Sequence, residues 1–344
     1  MVNLLIKKSN LLANVRNALI LVAVILSLSG CYYFDAIKGH IEMTNNKEPL
    51  AIAVKQPEYQ KYADLLQEVI SIKEFAIQEV LLKDSKSYNK YYHTEKKGIT
   101  HVLTASYPTE FKAYEWRYFW VGKLPFRGFF TEQLFDEEKD ELLKQGLDVW
   151  DFHSTAYSTL GFFDDPITTP MLKSGIIGVS EAVIHEMVHE TFYVNNEGDF
   201  NENLASFVAQ KATNQYIKLH HPSLLAQLTA KPDPRRKKVN DLFVNVKDEL
   251  QAIYQSPITK EDKLAKKSEI IDKAAQEIAR IYPKSSVRYR TINNARLLQI
   301  RRYASVSDYN LTDLWKNSDQ SWALFWENLN QNSDAIIAQG KNAN

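Results

Sequence analysis

Helical periodicity runs almost without a break from Ser180 to the end of the chain, and nothing else narrows the choice of fold as much. Apolar residues return there at three- and four-residue steps, the spacing of one helix face. The segments fall near 180–193, 200–218, 222–229, 238–255, 260–282, 288–305 and 319–339, with Asn, Pro or Gly between most of them. Upstream, Tyr62, Leu65, Leu66, Val69, Ile72, Phe75, Ala76 and Val80 keep the same rhythm and predict one long helix over 58–82. Residues 99–130 are rich in Tyr, Trp, Phe, Val and Thr and are broken by Pro108, Gly122, Pro125 and Gly128. They predict two or three strands joined by hairpin turns, with a further strand around Leu147–Tyr157. Thr131 is expected to cap a helix through Lys144, with Glu132 in its first turn and Gly146 just past its end. Strands first and helices later give an α+β class, not alternating βαβ units. The expected architecture is an N-terminal helix and a small antiparallel sheet packed on a mainly helical domain. It would span 57–340, strand-rich over 99–160 and helical over 180–339.

Charge is balanced at 42 basic and 42 acidic residues, which offers no electrostatic reason to expect nucleic acid. The balance is uneven along the chain. Residues 1–30 carry Lys7, Lys8 and Arg16 and no acid, leaving 39 basic against 42 acidic side chains beyond them. Behind that basic segment, Ala18 to Leu28 is an apolar run, too short to span a bilayer as a helix and of the length found in secretory signals. It ends in Leu28-Ser29-Gly30-Cys31, which resembles the bacterial lipobox, and Cys31 is the single cysteine of the chain. The expectation is a signal peptide over 1–30, lipid on Cys31 as a membrane anchor, and a tether over 31–56. Tyr32, in place of the Asp that often marks inner-membrane retention, favours the outer membrane, facing the periplasm. A single cysteine also excludes an intrachain disulfide.

The chemistry concentrates in His185-Glu186-Met187-Val188-His189. Residues four apart lie on one helix face, so both imidazoles can converge on one ion. Zinc takes imidazole nitrogen readily, and in catalytic sites keeps three protein ligands and a water. Glu186, next to the first ligand, is placed to act on that water as general base. The longer motif with a third histidine is excluded, because Phe192 and Asn195 stand where Gly and His are required. Four acids follow: Glu190, Glu197, Asp199 and Glu202. Glu190 points off the His185/His189 face, and Glu202 opens the next helical segment, where Ala205, Phe207 and Val208 would allow close packing. Glu202 is therefore the expected third ligand. The competing reading is a helix cap box, Asp199-x-x-Glu202, with Glu202 folded back on backbone amides.

His-Glu-x-x-His-x-Thr-Phe-Tyr-Val over 185–194, followed by Asp-Phe-Asn-Glu-x-x-Ala-x-Phe-Val over 199–208, resembles the bacterial "predicted aminopeptidase" lipoproteins, a gluzincin-like family. Ala156–Pro166, Phe126–Phe130 and Asn293–Arg296 are similar as well. The resemblance implies a zincin-like domain, bound Zn²⁺ and aminopeptidase activity on a peptide substrate. The sequence departs from the commoner gluzincin pattern by placing Ser206 where Asp often supports a histidine, so Asp164 or Asp165 is a candidate for that support.

The expected reaction is amide hydrolysis by a zinc-activated water with Glu186 as base. The oxyanion needs a further donor, for which Tyr157 is the first candidate, with Tyr193 and His153 as alternatives. Arg127, in an aromatic hairpin, is a candidate for a substrate carboxylate, or else a structural salt bridge. Glu181, one turn before His185, is a candidate anchor for a free α-amine, or else a first-turn glutamate favoured by the helix dipole. Gly178-Val179-Ser180 loosely resembles a nucleophile elbow, but Ser180 is better placed as the N-cap of the metal helix. The alternative to an enzyme is an envelope lipoprotein whose metal site serves stability or partner binding.

Overall fold

The computed structural model describes residues 32–118, 122–155, 164–228, 233–283, 292–304 and 309–342. The expected signal peptide, Cys31 and Tyr157 lie outside the described residues.

The chain enters through a helix over 32–45 (α1), then β1 (Lys47–Pro49) and α2 (Leu50–Ala53). Residues 32–53 are thus folded, where a tether is expected: Asp35, Met43, Leu50 and Ala53 are all buried. Asp35 explains part of the difference, since its carboxylate accepts from the Phe130 amide (2.9 Å) and from the Thr131 hydroxyl, binding α1 to the strand-rich region. A 3₁₀ turn (Pro57–Tyr62) leads into α3 (Ala63–Gln78), followed by β2 (Lys90–Tyr92), β3 (Thr100–Ser106), β4 (Trp116–Tyr118), β5 (Gly122–Leu124) and β6 (Arg127–Phe129). Then come α4 (Glu132–Lys144), β7 (Asp148–Ser154), β8 (Ile167–Thr168), α5 (Thr169–Leu172), α6 (Gly175–Thr191) and α7 (Gly198–His220). The rest is helical: α8 (Leu225–Leu228), α9 (Pro234–Gln255), α10 (Lys260–Ile281), α11 (Asn294–Ala304), α12 (Leu311–Asn317) and α13 (Trp322–Asn342). The class is mixed α+β and mostly helical, with small sheets. No helix among the described residues is long and apolar enough to cross a membrane.

Three strand assemblies are present among these residues. β1 pairs antiparallel with β2, which pairs parallel with β8; β3 is flanked antiparallel by β6 and β7; β4 and β5 form a hairpin. β3 is central and carries buried residues from Val102 to Ser106 on both of its faces. One face packs on α4 through Leu103, Ala105, Phe129, Phe135 and Leu142. α11 lies against β3 and β7, and Arg296 stacks over Trp150 at 4.6 Å. Thr131 sits at the expected cap position of α4, yet its hydroxyl donates to Asp35 and makes no cap bond. Gly146 takes φ +76°, the left-handed turn after α4 that favours glycine.

The largest core joins α3, α5, α6, α7, α12 and α13, with Leu66, Ile72, Val183, Met187, Leu204, Val208 and Phe325 fully buried within it. A second cluster packs α9 on α10. The first of these cores encloses the α6–α7 pair, which is the most extensive helix contact among the described residues, with α3 and α5 packed on α6.

Candidate metal centre

α6 begins five residues earlier than expected. Gly175 opens it with φ +72°, and Ser180 lies inside it, fully buried, its hydroxyl donating to the Ile176 carbonyl at 2.7 Å. Ser180 is therefore neither a cap nor a presented nucleophile. The apolar stripe of Val179, Val183, Ile184, Met187 and Val188 is buried in the main core, which fixes the helix rotation. His185 and His189 then face α7, one turn apart, with their Nε2 atoms 3.2 Å from each other.

α6 ends at Thr191, whose hydroxyl donates to the Met187 carbonyl and accepts from the Lys83 amide. The chain turns back through Asn196 (φ +65°) into α7. Asn201 closes this turn from both sides: its Oδ1 accepts from the Val194 amide (2.9 Å) and its Nδ2 donates to the Val194 carbonyl (2.8 Å). The clamp is buried, and it sets the start of α7 so that the next residue, Glu202, reaches the imidazoles. Ala205, fully buried, keeps the two helices close. Glu202 places Oε2 3.4 Å from His185 Nε2 and Oε1 3.6 Å from His189 Nε2. Glu202 is therefore one turn into α7 and turned toward α6, not folded back as a cap box.

Two nitrogens and a carboxylate from α6 and α7 thus converge within 4.8 Å. Nitrogen ligands at about 2.0–2.1 Å around a tetrahedral ion lie about 3.3 Å apart, so the 3.2 Å nitrogen spacing suits zinc. Burial works to lower the basicity of His185, but the Glu202 hydrogen bond and the charges of Glu186 and Glu202 outweigh it and raise its pKa. His189 is lowered, first by burial and then by His185. Its Nδ1 is buried without a hydrogen-bond partner among the described residues.

Around this centre the other candidates separate. Glu181 lies on α6 one turn before His185; although open to solvent in part, the surrounding protein raises its carboxyl above the usual range. The Tyr193 ring is 6.3 Å from that of His189 and half exposed. His153 is not at this centre: it lies in β7 beside His101. Arg127 is engaged in β6, pairing with Glu138 at 3.1 Å and stacking on Tyr32 at 4.4 Å. Asp164 faces Lys90 at 3.5 Å, and the buried Asp165 accepts from the Tyr88 amide through its carbonyl.

Sequence reasoning missed Asn201 and Tyr88. Tyr88 has left-handed backbone (φ +61°) and a buried hydroxyl without a hydrogen-bond partner among the described residues. Burial first, and then the nearby charges of Glu186, Asp165 and Glu190, push its pKa well up. No local pattern marks either residue; the Asx side chain beside a turn at Asn195-Asn196 was the nearest signal for Asn201.

No match to the chain was found among curated proteins or among solved structures. A family described as "Putative aminopeptidase" matches residues 31–342, which include both helices of this centre. The chain belongs to that family of aminopeptidase-type hydrolases.

Proposed function

We propose that the protein is a zinc-dependent metallopeptidase, acting as an aminopeptidase, with His185, His189 and Glu202 holding the ion. The observation that carries this reading is the convergence of those three donors from α6 and α7 while Glu186 follows directly on the first of them. Zinc, when bound, polarises the scissile carbonyl and lowers the pKa of water. Glu186, beside His185 on α6, takes the proton from the attacking water and returns it to the leaving amine. The buried stripe of α6 and the Asn201 clamp hold Glu186 and the three ligands in fixed relation, so little reorganisation accompanies the reaction. Glu181, one turn before His185 along α6, anchors the free α-amine that distinguishes an aminopeptidase from an endopeptidase. Tyr157 or Tyr193 donates to the oxyanion. The same reading places the enzyme outside the cytoplasm, tethered to the outer membrane by lipid on Cys31; Cys31→Ser would then move the chain from the membrane to the soluble fraction.

The test is cleavage of a peptide library, with and without chelation, by the wild type and Glu186→Gln. We expect cleavage that chelation abolishes and zinc restores, and a Glu186→Gln protein that keeps its zinc while losing at least about 100-fold in rate. A zinc-loaded wild type that cleaves no peptide overturns the proposal and leaves a metal-stabilised binding protein.

A further inference from the structure

A second cluster of metal-ligating side chains lies apart from α6 and α7. The antiparallel register of β3 and β7 pairs His101 with His153, so both imidazoles project from the same face of the sheet. Their rings stack with centroids 4.2 Å apart. Glu132, in the first turn of α4 over that face, brings Oε2 to 2.9 Å from His101 Nδ1. One ligand atom from each of His101, Glu132 and His153 falls within 4.8 Å of the others.

We propose that these three residues form a second binding site for a divalent transition metal, joining β3, β7 and α4. Three further observations support it. The other ring nitrogen of His101, Nε2, lies 2.9 Å from Asp151 Oδ2, and Asp151 is itself held by Lys139 Nζ at 3.0 Å. A carboxylate behind one ring nitrogen is the usual partner of a ligating histidine, for it fixes the tautomer and turns the opposite nitrogen toward the ion. The His101 ring is also stacked on Phe135 at 3.5 Å, which holds its plane. Finally, the Glu132 side chain is 67% exposed, so an ion can enter from solvent and keep water in its remaining positions. Ion pairing alone would explain His101 between Glu132 and Asp151 but does not require a second imidazole stacked on the first. Two imidazoles and one carboxylate select zinc, nickel or cobalt over magnesium or calcium, which prefer all-oxygen sites.

The experiment is a titration of the metal-stripped full chain with zinc, and with cobalt for its visible spectrum. The His185→Ala/His189→Ala protein, confirmed folded by circular dichroism, serves as background. We expect that background to bind one zinc and to gain thermal stability with it. In the same background, Glu132→Gln should weaken binding at least about tenfold, since even an outer partner of a ligand is worth about 10–100-fold, and His153→Gln should abolish it. In the wild-type background both substitutions should leave peptide cleavage unchanged. A folded background protein that takes up no zinc, or affinity unaltered by both substitutions, overturns the proposal. Failure of the α6–α7 reading would look different: the wild type would bind one equivalent, and Glu132→Gln would weaken it.

Discussion

Glu202 shows how a single residue acquires its role from its surroundings. In the sequence it fits a cap box as well as a ligand set, and the choice falls to the turn over 192–197, where Asn201 bonds Val194 through both ends of its amide. That clamp presents Glu202 to the two imidazoles. Ser180 shows the reverse. Its sequence context suits a cap or a nucleophile, but the earlier start of α6 at Gly175 buries it one turn inside, bonded to the Ile176 carbonyl. A serine hydroxyl bonded four residues back contributes little to a helix. We therefore expect Ser180→Ala to change stability by less than about 1 kcal/mol in urea denaturation and to leave peptide cleavage at the wild-type rate. A loss of cleavage in a folded Ser180→Ala protein would restore the serine as nucleophile.

Among the elements, periodicity gave positions and partners came from distance. The helix at 63–78, α4 and the long helices after 198 stand where the apolar spacing puts them, whereas 100–129 holds four strands where two or three are expected. The contacts that lock them are remote in sequence. Lys267 on α10 donates to the Pro108 carbonyl (2.9 Å) and to Asp148 on β7 (2.5 Å), and the same Asp148 oxygen accepts from the Asn294 amide (2.8 Å) at the head of α11. The Asp148 carboxylate thus ties two helices to the sheet, and burial lowers the pKa of its partner Lys267 against the pull of Asp148. Removing one partner of such a pair leaves the other charge uncompensated. Lys267→Met should cost about 3 kcal/mol in urea denaturation, with part recovered when Asp148→Asn is added. A loss below about 0.5 kcal/mol, the usual range of a surface change, would show that the pair does not hold α10 to β7.

Over the whole molecule, buried phenols link stability to alkaline pH. Burial is the first cause in each case: Tyr91 is pushed up to about 12, Tyr88 well above the usual value of 10, and Tyr216 and Tyr254 are raised too. A group whose pKa is higher folded than unfolded adds stability that is complete below the unfolded value and lost as pH rises through the folded one. Stability measured by denaturant titration should therefore fall between pH 10 and 12, and a flat profile across that window would contradict the burial of these rings. The sequence by itself determined the α+β class, most of the helices and strands, and the shared face of His185 and His189, because each depends on spacing within one element. Tertiary structure decided that residues 32–53 join the fold, that Glu202 meets the histidines, that Tyr88 is buried near Glu186, and that His101 lies against His153. Those juxtapositions rest on turn closure, strand register and packing between segments far apart in the chain, and no local periodicity encodes them.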